Sequence, residues 1–527
     1  MTDLTNLPHS RRAFLAAGGA LTAATVLPGL DPLAAFGATR WPKGRLTARD
    51  ALRVKPSEFM PVGQFTAWHR ALDRIGPANQ RGLRATGSPA HEHYVDQLRD
   101  DLVRAGVKQV HFESVPMTRW TVDAWSLDLV DGATPGPVKV ASYIPYSGKT
   151  PAAGVTAPLA FVEPGSTPAP GSLAGRIAVF DVPLTKIALS FFVNLSYTGR
   201  QYDPKGELAG DEEYKRPYLN SVIPVLEALE AAGAVGVIGV LDYPSDGADG
   251  SYFPYDGEIR GLPGLYVDRT TGATLKAQAQ AGVAARLTLP AAEVKTKSRN
   301  LIGFIPGRSR ELVTLHCHTD GSNAIEDNGP AAIVAMSQYL ARLPRTALPK
   351  TIMILLTTGH FAGGNGSRAF IDRHRGDLVK RTDAAVTVEH LGLREWDELP
   401  TGRMGPTGRD EPGAMFAPGS KVLVDASFAA LKRMKAAPAG VLKPLAPKAS
   451  GLANDSTWPG EGQYLFGYGG MPTANYITGP TYLLNWGITT ADKVDHRRVR
   501  AEAIGFTELI LRLGRTKRAP LRSYTLS

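Results

Sequence analysis

Between about residue 298 and the C-terminus, short apolar stretches alternate with helical stretches, and polar clusters follow where the apolar stretches end. Such alternation predicts an α/β fold: a mixed, mostly parallel sheet with helices on both faces. Ligands in such sheets bind beyond the carboxyl ends of the strands. The four clusters at this predicted edge are His316-Cys317-His318-Thr319-Asp320, Glu326-Asp327-Asn328, Gly359-His360-Phe361 and Glu389-His390.

These clusters supply imidazole and carboxylate groups, which are the ligands that a hard or borderline divalent metal takes in proteins. One histidine after a strand is more often a hydrogen-bonded structural residue, but four polar clusters at one edge favour a metal site. Alternation along the strand places His316 and His318 on the same face and Cys317 on the other, so we expect Cys317 to be buried in the core. Asp320, two residues after His318, could hold its imidazole ring in orientation.

Composition excludes several classes of protein. The 527 residues are 43% apolar and 20% charged, as in an ordinary globular protein of two or three domains. The single cysteine excludes a disulfide scaffold, a multi-thiolate metal site and an iron–sulfur cluster. The net charge is +10, but the basic residues are scattered, with no run beyond short pairs such as Arg497-Arg498. We therefore interpret the charge as a solvated basic surface and expect no nucleic-acid partner.

The N-terminus has the pattern of an export signal. Ser10-Arg11-Arg12-Ala13-Phe14-Leu15 is a twin-arginine signature, followed by a weakly apolar stretch at 15–30 and small residues at 34–38. We predict a signal peptide at 1–38 and export in the folded state to the cell envelope or the medium. The apolar stretch is too short for a permanent membrane helix, and no later stretch reaches the required 18 or so apolar residues, so no integral membrane segment is expected after signal removal.

The mature chain divides into three predicted parts. Residues 39–131 and 295–527 are expected to form one domain, and residues 132–294 an insertion with strands at 175–180, 235–240 and 262–267. The order and spacing of these elements resemble a protease-associated domain, a small β-rich module; an unrelated α/β insertion is the alternative. Residues 242–261 read as a surface loop that could overhang the site, and residues 396–449 as a loop region with one helix.

Four further motifs carry a resemblance to a known family: Arg81-Gly82-Leu83-Arg84-Ala85-Thr86-Gly87-Ser88, Ser298-Arg299-Asn300-Leu301-Ile302-Gly303-Phe304-Ile305-Pro306-Gly307, Gly470-Met471-Pro472-Thr473 and Thr490-Ala491-Asp492-Lys493-Val494-Asp495. With these motifs the chain is similar to the secreted zinc aminopeptidases and plasma carboxypeptidases of the co-catalytic metallopeptidase group, whose fold glutaminyl cyclases also use. The resemblance covers nearly all of the mature chain and implies a zinc aminopeptidase-like fold.

The resemblance implies a first metal site that is intact. The family holds two metals bridged by one aspartate. By position in the motifs, His318 matches the histidine of the first site and Asp320 the carboxylate behind it. Asp327 matches the bridging aspartate, and Glu389 stands where an aspartate or glutamate completes the first site. The resemblance therefore implies His318, Asp327 and Glu389 as metal ligands.

The resemblance also implies a second metal site that is degraded. The family's adjacent glutamate pair, a catalytic base followed by a ligand, aligns with His360 and Phe361, and phenylalanine cannot bind a metal. The closing histidine of that site falls near Asn485. His360 could replace the glutamate base, since its unperturbed pKa of about 6.5 suits proton transfer at neutral pH. His390 could be a fourth ligand or an oxyanion stabiliser.

Three functional hypotheses follow from these residues. The leading one is an exported hydrolase of peptide or amide bonds with one divalent metal, expected to be zinc, that activates water. The second is a catalytically inactive peptidase-like protein that binds peptides or cell-wall material. The third keeps the fold and changes the reaction to acyl transfer or cyclisation.

Overall fold

The computed structural model describes residues 41–210, 212–326, 328–445 and 457–524. The predicted signal peptide and Asp327 lie outside these residues. The described strands are β1 Lys108–Thr121, β2 Ser126–Leu129, β3 Gly136–Val138, β4 Ser142–Tyr143, β5 Val155–Val162, β6 Ile177–Asp181, β7 Leu184–Ala188, β8 Ser196–Tyr202, β9 Glu213–Asn220, β10 Gly236–Val240, β11 Gly264–Val267, β12 Ala284–Thr288, β13 Ala292–Ile305, β14 Ser309–His318, β15 Lys350–Thr357, β16 Thr382–Val388, β17 Arg394–Glu398, β18 Met404–Asp410, β19 Gly413–Phe416, β20 Ala439–Leu442 and β21 Thr473–Thr478.

The helices of the same residues are mostly short. Those of α type are α1 Val62–Leu72, α2 Pro89–Ala105, α3 Ser190–Leu195, α4 Val222–Ala231, α5 Ser245–Ala248, α6 Arg269–Gln280, α7 Gly329–Leu340, α8 Asn365–His374, α9 Leu378–Arg381, α10 Lys421–Met434, α11 His496–Arg515 and α12 Arg518–Leu521. A π-helix spans Tyr464–Tyr468, and a 3₁₀ turn spans His360–Ala362. None of the helices in the described part of the chain is both long and apolar enough to span a membrane.

The larger of the two main sheets in the described residues has nine strands, in the order β1-β13-β15-β14-β16-β21-β19-β20-β8. At its centre β14 runs parallel to both β15 and β16, and β16 runs parallel to β21. The pair β19 and β20 is also parallel, and the remaining neighbours are antiparallel. The predicted mixed α/β sheet is confirmed.

Each face of this sheet is covered, because alternate residues of its strands join two different apolar clusters. Leu315 and Cys317 of β14 pack in the main core, on the side where α7 and α11 contact the strand. Leu312 of the same strand belongs to a second cluster with Phe370 and Ile371 of α8. Burial on both faces explains why central strands such as β15 read as continuous apolar runs. The predicted burial of Cys317 is confirmed.

The second sheet lies within residues 126–288 and has the order β3-β2-β12-β5-β6-β10-β11-β4. Its centre is parallel, from β5 through β6 and β10 to β11, and α6 packs on β5, β6 and β10. The strands predicted at 175–180, 235–240 and 262–267 correspond to β6, β10 and β11, so they are confirmed. The resemblance of this part to a protease-associated domain stays a prediction.

An arm of the predicted insertion joins it to the larger sheet, which the sequence did not indicate. β7 and β9 form an antiparallel pair, and β8 between them adds to the sheet edge by pairing with β20. In β9, the fully buried Arg216 donates to the main-chain oxygen of Gly479 at 3.2 Å and pairs with Glu411. The arm is therefore held beside the loop that follows β21.

The region at 396–449 also has more regular structure than predicted. The sequence indicated a loop region with one helix, and that helix is α10. The structure adds β17 and β18 as a hairpin and places β19 and β20 in the larger sheet. These strands are short, and three of the four contain glycine, so their apolar pattern is weak, and pairing with neighbours determines them instead.

The start of α7 presses against two central strands, which gives a stability prediction. A Cβ atom at Gly329 would lie 2.0 Å from the main-chain oxygen of Val388 and 2.6 Å from Cys317 Sγ. We expect Gly329→Ala to lower the free energy of unfolding by about 1–3 kcal/mol, because overpacking forces backbone shifts. Calorimetry of thermal unfolding measures the change in stability. Gly376→Ala is the control, because a Cβ atom at Gly376 would meet no atom within 4 Å. Equal unfolding temperatures for the two variants would contradict this packing.

Candidate metal centre

Five side chains from four segments meet at the carboxyl edge of the central strands. His318 is the last residue of β14, and His360 begins the 3₁₀ turn that follows β15. Glu389 and His390 follow β16 directly, and Glu326 lies in the loop before α7. These residues meet because β15, β14 and β16 are adjacent and parallel, so their ends lie at one edge. His360 is the most accessible of the five, and it is only 7% exposed.

The ligating atoms of these side chains are close together. His318 Nε2 is 3.9 Å from Glu389 Oε2, and His390 Nε2 is 3.3 Å from Glu326 Oε2. His360 Nε2 is 3.8 Å from Glu326 Oε1. Two overlapping sets each have ligand atoms within 4.8 Å of one another: His318, Glu389 and His390, and His318, Glu326 and His360.

Four of these atoms are buried and have no hydrogen-bond partner in the described residues: His318 Nε2, Glu326 Oε2, Glu389 Oε2 and His390 Nε2. Burying polar atoms without partners costs free energy. A divalent cation between them would remove that cost. Zinc binds nitrogen and oxygen ligands at about 2.0–2.2 Å, which separates ligand atoms in a tetrahedral site by roughly 3.3 Å. The observed separations of 3.3 and 3.9 Å are compatible with such a site.

Hydrogen bonds to main-chain oxygens occupy Nδ1 of His318 and of His390, so Nε2 of each ring is available to a metal. His318 Nδ1 lies 2.7 Å from the main-chain oxygen of Asp320, and His390 Nδ1 lies 2.7 Å from that of Thr478. A carbonyl oxygen only accepts, so both Nδ1 atoms carry a proton. In the neutral ring, Nε2 then has a lone pair for a metal.

Asp320 supports the site by a different route from the one expected. Its main-chain oxygen, rather than its carboxylate, holds His318; Oδ1 is 3.8 Å from His318 Nδ1. The carboxylate accepts hydrogen bonds from the main-chain nitrogens of His360 at 3.2 Å and Phe361 at 2.9 Å, and from Thr86 Oγ1 at 2.5 Å. Asp320 therefore positions the 3₁₀ turn that carries His360.

The electrostatics of the centre favour positive charge. Burial lowers the pKa of His318, but the contact with Asp320 and the carboxylates of Glu389 and Glu326 outweigh it and raise the pKa to about 10. Burial likewise lowers the pKa of His390, and Glu326 and Glu389 raise it above its ordinary value. Burial raises the pKa of Asp320, but His318 and other nearby histidines hold it well below its usual range. A metal cation competes with protons for such a site.

Glu461 belongs to the centre, and the sequence analysis missed it. Its Oε2 is 2.7 Å from His360 Nδ1, and its main-chain nitrogen donates to Glu389 Oε1 at 2.9 Å. It lies in a turn before the π-helix Tyr464–Tyr468 and does not follow a strand. The sequence does carry a signal, because Gly460 and Gly462 flank it in a turn that closes tightly on the site.

Phe361 and Asn485, the two positions predicted to lack second-site ligands, both contact other parts of the chain. Phe361 is buried among aromatic rings, with its ring centre 4.9 Å from that of Tyr255 and 5.6 Å from that of Tyr252. Asn485 donates from its side chain to the main-chain oxygens of Asp249 and Gly247 in the insertion. These residues therefore connect the centre to residues 247–255; the degraded second site stays a prediction.

Residues of the stretch 242–261, predicted as a surface loop, lie beside the cluster, and part of the stretch is buried, with Tyr252 only 2% exposed. The ring of Tyr255 lies 5.5 Å from that of His360. A Cβ atom at Gly363 would be 2.5 Å from the main-chain oxygen of Asp256, so the loop touches the turn after His360. The Tyr146 hydroxyl also donates to the main-chain oxygen of Phe361. The insertion therefore helps to enclose the centre.

Comparison with protein-family models finds no match for this chain, and comparison with curated proteins finds none. Solved structures do match over most of the chain. A Peptidase M28 precursor from Shewanella amazonensis SB2B has a TM-score of 0.59 at 18% identity, covering 89% of this chain and 95% of its own. BSAP, a zinc aminopeptidase from Bacillus subtilis, has a TM-score of 0.58 at 14% identity, covering 85% of this chain and 94% of its own.

A third similar structure is an aminopeptidase from Aneurinibacillus sp. strain AM-1, with a TM-score of 0.52 at 16% identity, covering 87% of this chain and 94% of its own. At these identities the likeness concerns the fold. The fold is that of the zinc aminopeptidases, so this part of the predicted resemblance is confirmed.

Proposed function

We propose that this protein is a hydrolase of peptide or amide bonds that uses one divalent metal, expected to be zinc. The observation that carries the proposal is the set of four buried ligand atoms without hydrogen-bond partners, at the strand ends of a zinc aminopeptidase-like fold. Imidazole and carboxylate donors in a buried site suit zinc. The substrate expected from this class is a peptide or a small amide.

The proposed ligands begin with His318 and Glu389, the two members of the predicted set that the structure describes. Asp327, the third, remains a predicted ligand outside the described residues. His390 offers a buried donor in the same group as His318 and Glu389, which supports it as a further ligand. Glu326, next to Asp327 in the sequence, faces His390 and His360 and lines the same space.

A bound zinc ion would polarise the amide carbonyl and make water a stronger nucleophile near neutral pH. His360 is placed to act as general base, since Glu461 holds its Nδ1 and leaves Nε2 free towards Glu326. In the neutral ring Nε2 accepts a proton from the attacking water and then returns it to the leaving amine. Asp320 positions His360 and Phe361 through their main-chain nitrogens.

A second candidate function is peptide or cell-wall binding without catalysis. It is favoured by the loss of ligands at Phe361 and Asn485 and by the enclosure of His360, which is only 7% exposed. This candidate predicts that metal or ligand binds and that no amide substrate turns over. Metal binding and turnover therefore have to be measured separately.

The test uses the full mature chain, purified without added metal. Elemental analysis gives the metal bound per chain, and hydrolysis is measured on a panel of aminoacyl and peptidyl p-nitroanilides before and after chelation and readdition of zinc. We expect about one ion per chain and turnover that chelation abolishes and zinc restores. A metal-free protein that stays inert with zinc, manganese or cobalt would contradict the proposal. Bound metal without turnover would favour the second candidate, binding without catalysis.

We also propose that residues 1–38 direct export of the folded protein through the twin-arginine pathway. A reporter fused after residue 60 should reach the cell envelope or the medium, and replacing both Arg11 and Arg12 with lysine should abolish this. Fractionation measures the export, with Arg45→Lys, Arg49→Lys in the same reporter as the control, because both residues are exposed and lie outside the predicted signal. Unchanged export of the Arg11→Lys, Arg12→Lys reporter would refute the signal.

A further inference from the structure

Glu461 contacts the proposed base and a proposed ligand at the same time. Its Oε2 accepts a hydrogen bond from His360 Nδ1 at 2.7 Å, and its main-chain nitrogen donates to Glu389 Oε1 at 2.9 Å. Its other carboxylate oxygen, Oε1, accepts from Ser367 Oγ at 2.5 Å and from Thr357 Oγ1 at 3.4 Å. The side chain of Glu461 is fully buried. Both of its carboxylate oxygens are therefore committed to fixed partners.

The contact with His360 determines which ring nitrogen carries the proton. An ionised carboxylate only accepts hydrogen bonds, so Nδ1 must be protonated. Nε2 of the neutral ring then has the lone pair, and it points towards Glu326, 3.8 Å away. The ring also stacks on His318, with ring centres 4.2 Å apart, so its plane is fixed beside the proposed ligand. This is the protonation state that a general base needs.

The main chain of the same residue controls which oxygen of Glu389 is free. The hydrogen bond from Glu461 occupies Oε1, whereas Oε2 is buried without a partner. The close approach depends on the flanking glycines. A Cβ atom at Gly460 would lie 3.0 Å from Glu389 Oε2, and one at Gly462 would lie 2.5 Å from Asn475 Oδ1. The loop can approach the centre this closely because neither neighbour of Glu461 has a side chain.

We infer that Glu461 is a positioning residue that sets the tautomer of His360 and the orientation of Glu389. This inference rests on the proposed function for its catalytic meaning, since it assigns the partner of the proposed base. The arrangement of the hydrogen bonds can be tested without turnover. As a positioning residue, Glu461 acts through His360 and Glu389 and does not contact the substrate.

Glu461→Gln gives a specific prediction because the hydroxyls of Ser367 and Thr357 donate to Oε1. In the glutamine variant these two hydroxyls keep the amide oxygen at the position of Oε1. The amide NH₂ therefore takes the position of Oε2 and donates to His360 Nδ1. The proton of His360 then moves to Nε2, the wrong tautomer for a base. In the Ser-His-Asp triad, the corresponding change of the aspartate to asparagine lowers kcat about 10⁴-fold.

Nitrogen-15 NMR of histidine-labelled, zinc-loaded protein measures the tautomer directly, with the His360 signals assigned by their loss in His360→Gln. We expect a protonated Nδ1 in the wild type and a protonated Nε2 in Glu461→Gln. Glu411→Gln, a change of another fully buried glutamate that contacts Arg216, is the control and should leave the signals unchanged. A wild-type His360 protonated only at Nε2 overturns the inference, and this measurement needs no variant of Glu461 to fold.

Kinetics provide the second readout. We expect Glu461→Gln to lower kcat by about 10²-fold or more with little change in KM, and to add little in a chain that already carries His360→Ala. An equal loss in both backgrounds overturns the positioning role. If the wild type turns over no amide, the proposed function fails, and the tautomer measurement still decides whether Glu461 sets the proton on His360.

Discussion

Replacing His318 with alanine is expected to abolish metal binding and to lower amide hydrolysis by about 10³-fold or more. His318 supplies an Nε2 atom that is buried, has no hydrogen-bond partner and belongs to both groups of ligand atoms. No alternative ligating atom replaces it at the end of β14, since the preceding His316 is held between the hydroxyls of Thr387 and Thr357. A metal contributes several kcal/mol of transition-state stabilisation, and each 1.4 kcal/mol or so is tenfold in rate.

The measurement is elemental analysis and kcat/KM on the same preparations. His374→Ala is the control, because this histidine lies on α8 beside Glu113, away from the cluster. It should keep the wild-type metal content and rate. Retention of a full equivalent of metal by His318→Ala, with thermal stability unchanged, would show that the ion is held elsewhere.

Replacing His360 with alanine is expected to lower kcat by about 10²- to 10⁴-fold while about one metal ion per chain remains bound. The size of the loss is that of a general base in proton transfer. The metal should remain because His318, Glu389 and His390 form a group of ligand atoms without His360.

Tyr255→Phe is the matched control, since it keeps an aromatic ring beside His360 and removes only the hydroxyl. Steady-state kinetics and metal content of both variants separate the candidate roles. Loss of metal from His360→Ala would identify His360 as a ligand together with His318 and Glu326. Unchanged turnover would exclude His360 as the base and would strengthen the binding-protein candidate if ligand binding also survived.

Much of the site was predictable because it lies at the ends of parallel strands. The alternation of strands and helices predicted the sheet, and the rule that ligands bind beyond strand ends pointed to His318, His360, Glu389 and His390. The structure brings these four residues together around Glu326. In such a fold, residues that follow adjacent parallel strands lie at the same edge of the sheet.

The remaining features depend on tertiary contacts that no local pattern encodes. Glu461 reaches His360 from a loop about a hundred residues later in the chain. The pairing of β8 with β20 joins an insertion to a sheet edge, and short strands of this kind carry little periodicity. The role of Asp320 was predicted for the wrong atom, because sequence spacing does not show whether a main-chain oxygen or a carboxylate is closer to His318.

Phe361 gives the centre a character different from that of a two-metal site. Its ring, together with Tyr252 and Tyr255, fills the space beside the cluster with apolar surface. Three of the five side chains of the cluster are imidazoles. We therefore propose a single ion beside the Glu461–His360 pair.

The most direct test of the central claim is a crystal structure of the zinc-loaded protein with anomalous diffraction measured on both sides of the zinc absorption edge. We predict one zinc peak per chain, within ligating distance of His318 Nε2 and Glu389 Oε2, the two atoms that now lie 3.9 Å apart. A peak at another place, or no peak in crystals grown with excess zinc, would contradict the account.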